Sequence, residues 1–187
     1  MDKVTEIKRC EWIAGKPDYY VEYHDHIWGV PEHDDQLLFQ WLILESFHVG
    51  LSWQLVLSKK ENFINAFDHF DYEKMAEYGE EDIERLANDA GIIRHKGKIK
   101  AAIANARAFM KVQEEFGTFD AYIWGFVSGE QVVSQSDEER PTQSPLSDAV
   151  TKDMKKRGFK FIGSVTIYSY LQAIGIINDH DLACDFR

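Results

Sequence analysis

The chain has 187 residues, 44% hydrophobic and 28% charged, an ordinary globular composition with enough apolar material for one core in a single domain over 1–187. The opening MDKVTEIKRCEW lacks the apolar run of a secretory signal, and no stretch approaches the roughly eighteen apolar residues a membrane span needs. A cytoplasmic protein without a membrane partner is therefore expected, with monomeric action the simplest assumption. The net charge of −11 argues against nonspecific nucleic-acid binding, which needs clustered Lys and Arg.

That total hides a distribution. Residues 94–100 and 152–160 each carry +4, which leaves −19 on the remainder. Placed on one face, the two segments would make one DNA-compatible side; taken singly, each reads as a solvated helix face.

In chain order, the first segment is aromatic: Trp12, Tyr19, Tyr20, Tyr23 and Trp28, beside His24 and His26. Such clusters are usually core, yet a pocket of Tyr and Trp rings also binds a flat cation, worth up to about 2 kcal/mol when desolvated. Asp34 to Val49 is apolar on almost every side and predicts a helix buried in the core. Glu45 shares a helical face there with Leu38, Trp41, Leu42 and Val49, so its carboxylate needs a partner. A Lys or Arg, loop amides or the hydrogen-bond donors of a ligand would each serve. In GLSW, Gly50 permits a tight turn, Leu51 is an exposed apolar wedge and Trp53 offers a flat face.

Ser58 with Glu61 reads as a capping box ahead of Phe63 and Phe67. Helices from about Glu80 and His95 end near Gly91 and Gly117. RLANDAGIIRHKGKIKAAIANA thus reads as helix, glycine-bearing hairpin and helix, over about 80–112. Gly97 would let backbone N–H groups at the second helix's start face an anion such as a DNA phosphate; the alternative is an ordinary αα-hairpin. Asp120, ahead of AYIWGFV, reads as a residue of a helix N-terminus. Ser128 to Pro141 is a polar surface loop, and Ser144 and Pro145 open a helix through Arg157 that Gly158 closes. With about eight helices and few strand signals, an all-α fold, a compact helical bundle, is expected. No Walker loop, GxGxxG or GxSxG occurs, so nucleotide-dependent and serine-hydrolase classes are set aside.

The chain ends NDHDLACDFR, with His180 and Cys184 four apart, a spacing that shares a helical face. Joined by Cys10 and His24 they make a Cys2His2 set. Four protein ligands leave no open position, so such a zinc, one per chain, would be structural and would tie segments 10–24 and 180–184 together. Against this, His24 or His26 caps a turn and both thiols are free.

Taken together, RCEW, EYHDHIWGVP, LESFHVGLSW, DAGIIRHKGKI, KKRGFKFIGSVTIYSYLQAIGIINDH and the final Cys184 resemble the bacterial 3-methyladenine-DNA glycosylase type I family, from Cys10 to Cys184. The resemblance implies a helix-hairpin-helix glycosylase that releases 3-methyladenine from alkylated double-stranded DNA, with the damaged nucleotide flipped into a pocket. It implies zinc ligands Cys10, His24, His180 and Cys184, and a base pocket of Glu45, Tyr23, Trp53, Trp12, Tyr20 and Trp28. Gly50 and Leu51 would form the wedge, and the hairpin, Gly91 to Lys98 with Arg94, Lys96, Gly97 and Lys98 itself, would grip the DNA backbone. Glu45 stands as the catalytic-site carboxylate, chiefly for recognition; the family is understood to lack the catalytic Asp that related folds carry beyond the hairpin. This chain departs from the expected pattern at His48 and Val49, where Gln and Ala are expected, which bears on wedge geometry and lesion range. Rival readings are a damage-binding module that does not cleave, a catalytic zinc hydrolase, and a glycosylase with another lesion preference.

Overall fold

The computed structural model describes residues 6–187. It is predominantly helical, as expected: among the described residues ten α-helices are joined by short loops and by one two-stranded ladder. The helices are α1 (Asp18–His26), α2 (Asp35–His48), α3 (Trp53–Ser58), α4 (Lys60–Ala66), α5 (Tyr72–Ala76), α6 (Glu80–Ala87), α7 (Lys96–Phe116), α8 (Phe119–Gly125), α9 (Pro145–Lys156) and α10 (Ser164–Ala173). The strands are β1 (Val132–Val133) and β2 (Ile177–Asn178), paired in parallel. No described helix is long and apolar enough to cross a membrane.

Local chemistry explains most boundaries. Asp34 caps α2 by accepting from the Leu37 amide at 3.1 Å, and Ser144 with Ser147 forms a capping box ahead of Pro145 at the start of α9. Gly117 and Gly158, both at positive φ, follow α7 and α9. Three expectations need correction. Ser58 does not open α4: it ends α3, and its hydroxyl donates back to the Leu55 carbonyl at 2.6 Å, which leaves Lys59 as an N-cap without a side-chain bond. The loop after Ser128 carries β1, because the Val132 and Ser134 amides donate to the Ile176 and Asn178 carbonyls. His180 and Cys184 do not share a helix: the chain beyond β2 runs through turns.

The core forms around α2. Leu38, Phe39, Trp41, Leu42, Ile43, Leu44 and Phe47 are all buried, since this helix is enclosed by α7, α8 and α10. Phe109 of α7 stacks on Phe119 of α8 at 4.3 Å between ring centroids, and Phe39 meets Phe109 edge-on. Tyr170 of α10 is fully buried and donates its hydroxyl to the Leu38 carbonyl at 2.8 Å. That bond fixes α10 against α2, and it sets the two elements that carry the site side by side.

Candidate active site

Glu45 projects from α2 toward α10 and is 0% exposed. Among the described residues neither a Lys nor an Arg meets it. Its Oε1 accepts from the Ser169 hydroxyl at 3.0 Å, and Nδ1 of His48, one turn along the same helix, lies 3.1 Å from Oε2. Burial pushes the carboxyl above its ordinary range, and the contacts with His48 and Ser169 pull it back. Two donors do not exhaust the lone pairs of a carboxylate, so acceptor capacity is left for a ligand.

A group of aromatic rings gathers on the His48 side of this acid. Tyr23, itself buried, sits 5.5 Å from both Trp53 and Trp41, and His48 lies 5.2 Å from Trp53. Tyr20 follows at 6.2 Å from Tyr23. The phenols of Tyr20 and Tyr23 are pushed up first by burial and then by the negative field of Glu45, that of Tyr20 to about 12. The indole Nε1 of Trp53 is a buried donor with no acceptor at hydrogen-bond distance among the described residues. Trp41, which the sequence marked only as a helix-face neighbour of Glu45, belongs to this ring group. Trp12 and Trp28 divide from it: Trp28 packs 4.7 Å from His180 and Trp12 5.3 Å from His24, with Trp12 also meeting Tyr20.

A cleft of about 530 Å³ opens between the turn after α2 and the face of α10. His48 and Ser169, both in contact with Glu45, line it, as do Gly50, Leu51, Tyr168 and Gln172. Gly50 has φ +77°, the left-handed conformation that favours glycine, and Leu51 is 37% exposed at the cleft's edge. The chain therefore presents an apolar side chain outward beside an opening lined by the two hydrogen-bond partners of a buried acid.

The hairpin joins α6 to α7 through residues 88–95, with Ile92 buried as its anchor. Gly91 is committed internally: its amide donates to Asp89 and its carbonyl accepts from Asn62. Arg94 is exposed; Lys96 is exposed and paired with Glu84. His95 caps α7 by accepting from the Lys98 amide at 3.0 Å, and a Cβ on Gly97 would lie 2.8 Å from the His95 ring, so only glycine leaves the cap undisturbed. Lys98 is turned inward. Contrary to its expected place on the DNA-facing surface, it is 5% exposed and donates to the Phe47 and Val49 carbonyls at the end of α2.

The two basic segments do adjoin. Lys160 exchanges hydrogen bonds with Asn105 of α7, and Phe161 packs on His95 at 5.7 Å. Phe161 is exposed and at φ +51°, a strained position beside the hairpin that sequence reasoning passed over. Asp120 is engaged elsewhere, 2.7 Å from His33 at the start of α8, as its helix-terminus reading implies.

Cys10, His24 and Cys184 converge with donor atoms all within 4.8 Å of one another. The His24 Nδ1 is 2.7 Å from Asp25, which Arg9 holds with its guanidinium, so Nε2 is left facing Cys184 at 3.8 Å. His180 stands next to this trio, 4.8 Å from His24 between ring centroids, with Nδ1 2.8 Å from Asn178 Oδ1. An imidazole whose second nitrogen is fixed by an oxygen acceptor is the usual preparation of a metal-ligating histidine. The Asp181 amide donates to Cys10 Sγ at 3.2 Å. Burial pushes the Cys10 thiol up to about 12 and the His180 pKa down. Two sulfurs and the His24 imidazole are donors that suit zinc, while His180 stands outside this trio with its Nε2 3.2 Å from the His24 carbonyl.

Comparison with known proteins adds independent findings. A family model described as methyladenine glycosylase matches residues 12–187. The DNA-3-methyladenine glycosylase 1 of Escherichia coli (strain K12) is 47% identical over 180 residues, 95% of this chain and 96% of that protein. A crystal structure of 3-methyladenine DNA glycosylase I superposes with a TM-score of 0.89 at 46% identity, over 95% of this chain and 98% of that one. A Staphylococcus aureus 3-methyladenine DNA glycosylase I, solved to explain 3-methyladenine recognition, gives a TM-score of 0.89 at 38% identity, over 91% and 92% of the two chains.

Proposed function

The chain belongs to the methyladenine glycosylase family, and from that premise we propose that it hydrolyses the N-glycosidic bond of 3-methyladenine in alkylated double-stranded DNA and releases the free base. The observation that carries this reading to the residues is Glu45: a fully buried acid whose field reaches the Tyr20 and Tyr23 phenols and whose two hydrogen-bond partners line an open cleft.

Methylation at N3 places a positive charge on the purine and weakens its bond to the sugar, so the leaving group is already activated. Aromatic faces attract such a cation, and an anionic Glu45 adds a charge-assisted acceptor for the base edge. The C1′–N bond breaks with its electron pair passing to the base, which departs neutral as 3-methyladenine. A water oxygen bonds to C1′ and loses its proton to solvent, leaving an abasic deoxyribose. The ring group of Tyr20, Tyr23, Trp41 and Trp53 holds the base, with Trp12 and Trp28 supporting it from the histidine side. Glu45 serves recognition first, and its negative charge also favours the cationic sugar of the transition state.

The α6–α7 connection is read as the helix-hairpin-helix that grips the DNA backbone, with Arg94 and the start of α7 facing phosphate and Leu51 filling the gap left by the flipped nucleotide. Cys10, His24, His180 and Cys184 would hold one structural zinc, which when bound supplies a cross-link between the two ends of the chain and no reaction chemistry. The protein is read as a cytoplasmic monomer acting on DNA. Chromatography of bases released from methylated duplex DNA tests the function: free 3-methyladenine supports it, and tight binding of damaged DNA without base release would favour a noncatalytic damage-binding module.

A further inference from the structure

Lys98 is a buried cation without a carboxylate partner among the described residues, and burial alone pushes its pKa down. Lysine is almost never buried unless paired. Its partners here are two main-chain carbonyls, those of Phe47 at 2.9 Å and Val49 at 2.6 Å. Both belong to the C-terminal end of α2, where helix carbonyls lack intrahelical partners and the helix dipole is negative. The next two residues are Gly50 and Leu51, and the Leu51 amide closes the turn onto the His48 carbonyl at 2.8 Å. At its other end Lys98 sits in the first turn of α7, its own amide capped by His95 of the hairpin.

We infer that Lys98 is a positioning residue that ties the hairpin to the wedge: its buried ammonium caps the end of α2 and holds Gly50 and Leu51 at a fixed height over the cleft while the hairpin sits on the DNA backbone. This rests on the glycosylase reading. It assigns Lys98 a different part from Arg94 and Lys100, whose exposed side chains are free to meet phosphate. A wedge matters for a paired strand and hardly for a single one, so the duplex-to-single-strand ratio of excision reports on it.

The test compares base release from methylated duplex and methylated single-stranded DNA by the full chain, Lys98→Met, Leu51→Ala and the double variant. Lys98→Met is expected to lower the duplex-to-single-strand ratio about tenfold, or about 1.4 kcal/mol. The double variant should lose no more of that ratio than the worse single one, because both changes act on one element. The salt dependence of duplex binding should keep its slope in Lys98→Met, whereas loss of a phosphate contact would reduce it by about 1. An unchanged ratio, ratio losses that multiply in the double variant, or a reduced salt slope overturns the inference. If Lys98→Met does not fold, Lys98→Gln serves: its amide is uncharged and one bond shorter, so the carbonyls at the end of α2 lose the ammonium, the ratio should again fall, and an unchanged ratio refutes the inference. No base release by the unsubstituted chain from either DNA would take down the glycosylase reading with it; release with an unaltered ratio in the variants removes only the part given to Lys98.

Discussion

Ser169→Ala removes one oxygen from α10 and with it one of the two hydrogen bonds that hold Glu45. Glu45 is fully buried, so a replacement for the lost donor has to enter from the cleft that Ser169 lines. A hydrogen bond to a charged group contributes about 1.5–3 kcal/mol. Because burial already raises the Glu45 pKa, and the Ser169 contact is among the influences that lower it, the substitution raises it further. A protonated Glu45 has lost the charge that attracts a cationic lesion. Two consequences follow: excision at neutral pH falls about ten- to a hundredfold, at about 1.4 kcal/mol per tenfold, and the acid limb of the pH–rate profile moves to higher pH. Single-turnover excision across pH 5 to 9, with circular dichroism melts to confirm folding, measures both. A variant that melts like the parent and shows the parent's rate and acid limb would refute the view that Ser169 keeps Glu45 an anionic acceptor.

Other outcomes are equally specific. Asp68 and Asp153 are desolvated, yet contacts with Lys74 and Tyr78, and with Tyr122 and Arg157, hold both below the usual carboxylate range. Their folded-state pKa values are depressed, so the stability they add is present above the ordinary carboxylate range and is lost as pH falls from that range through the lower folded-state values; Asp153→Asn should flatten the acid side of a melting-temperature profile. Cys184→Ser, or a strong chelator, should lower the melting temperature and the metal content from one zinc per chain. Base release should decline only as the chain unfolds, and a variant that folds fully but has lost all activity would instead favour a catalytic metal.

Much of the fold was legible because the signals were local. Ser144 with Pro145, Gly117 and Gly158 are capping chemistry, and α2 announced its burial by being apolar all round. The misreadings arose where a local signal had two outlets. Ser58 was free to bond backward to its own helix, and the His180 and Cys184 spacing suits a helix but is equally reached through turns. At the site, Glu45 among Trp41 and its neighbours was readable from helical periodicity. Its partner Ser169 was not, because it lies 124 positions away and only the packing of α10 on α2 brings it there. Lys98 shows the limit most clearly: a lysine in a basic run reads as surface, and nothing near it in sequence reveals that the end of α2 waits for its ammonium.

The central claim is that an anionic Glu45 in an aromatic pocket recognises a cationic base so that its glycosidic bond is cut. Incubating the full chain and Glu45→Gln side by side with methylated duplex DNA, and quantifying the free bases by chromatography, tests it most directly. At about 4 Å and an effective dielectric of about 20, the lost charge interaction is about 4 kcal/mol; after the cost of desolvating the groups, release of 3-methyladenine should fall about a hundredfold or more. Loss of 3-methyladenine release in a Glu45→Gln protein that still folds and binds duplex DNA is the predicted result, and release at the parent's rate would contradict the account.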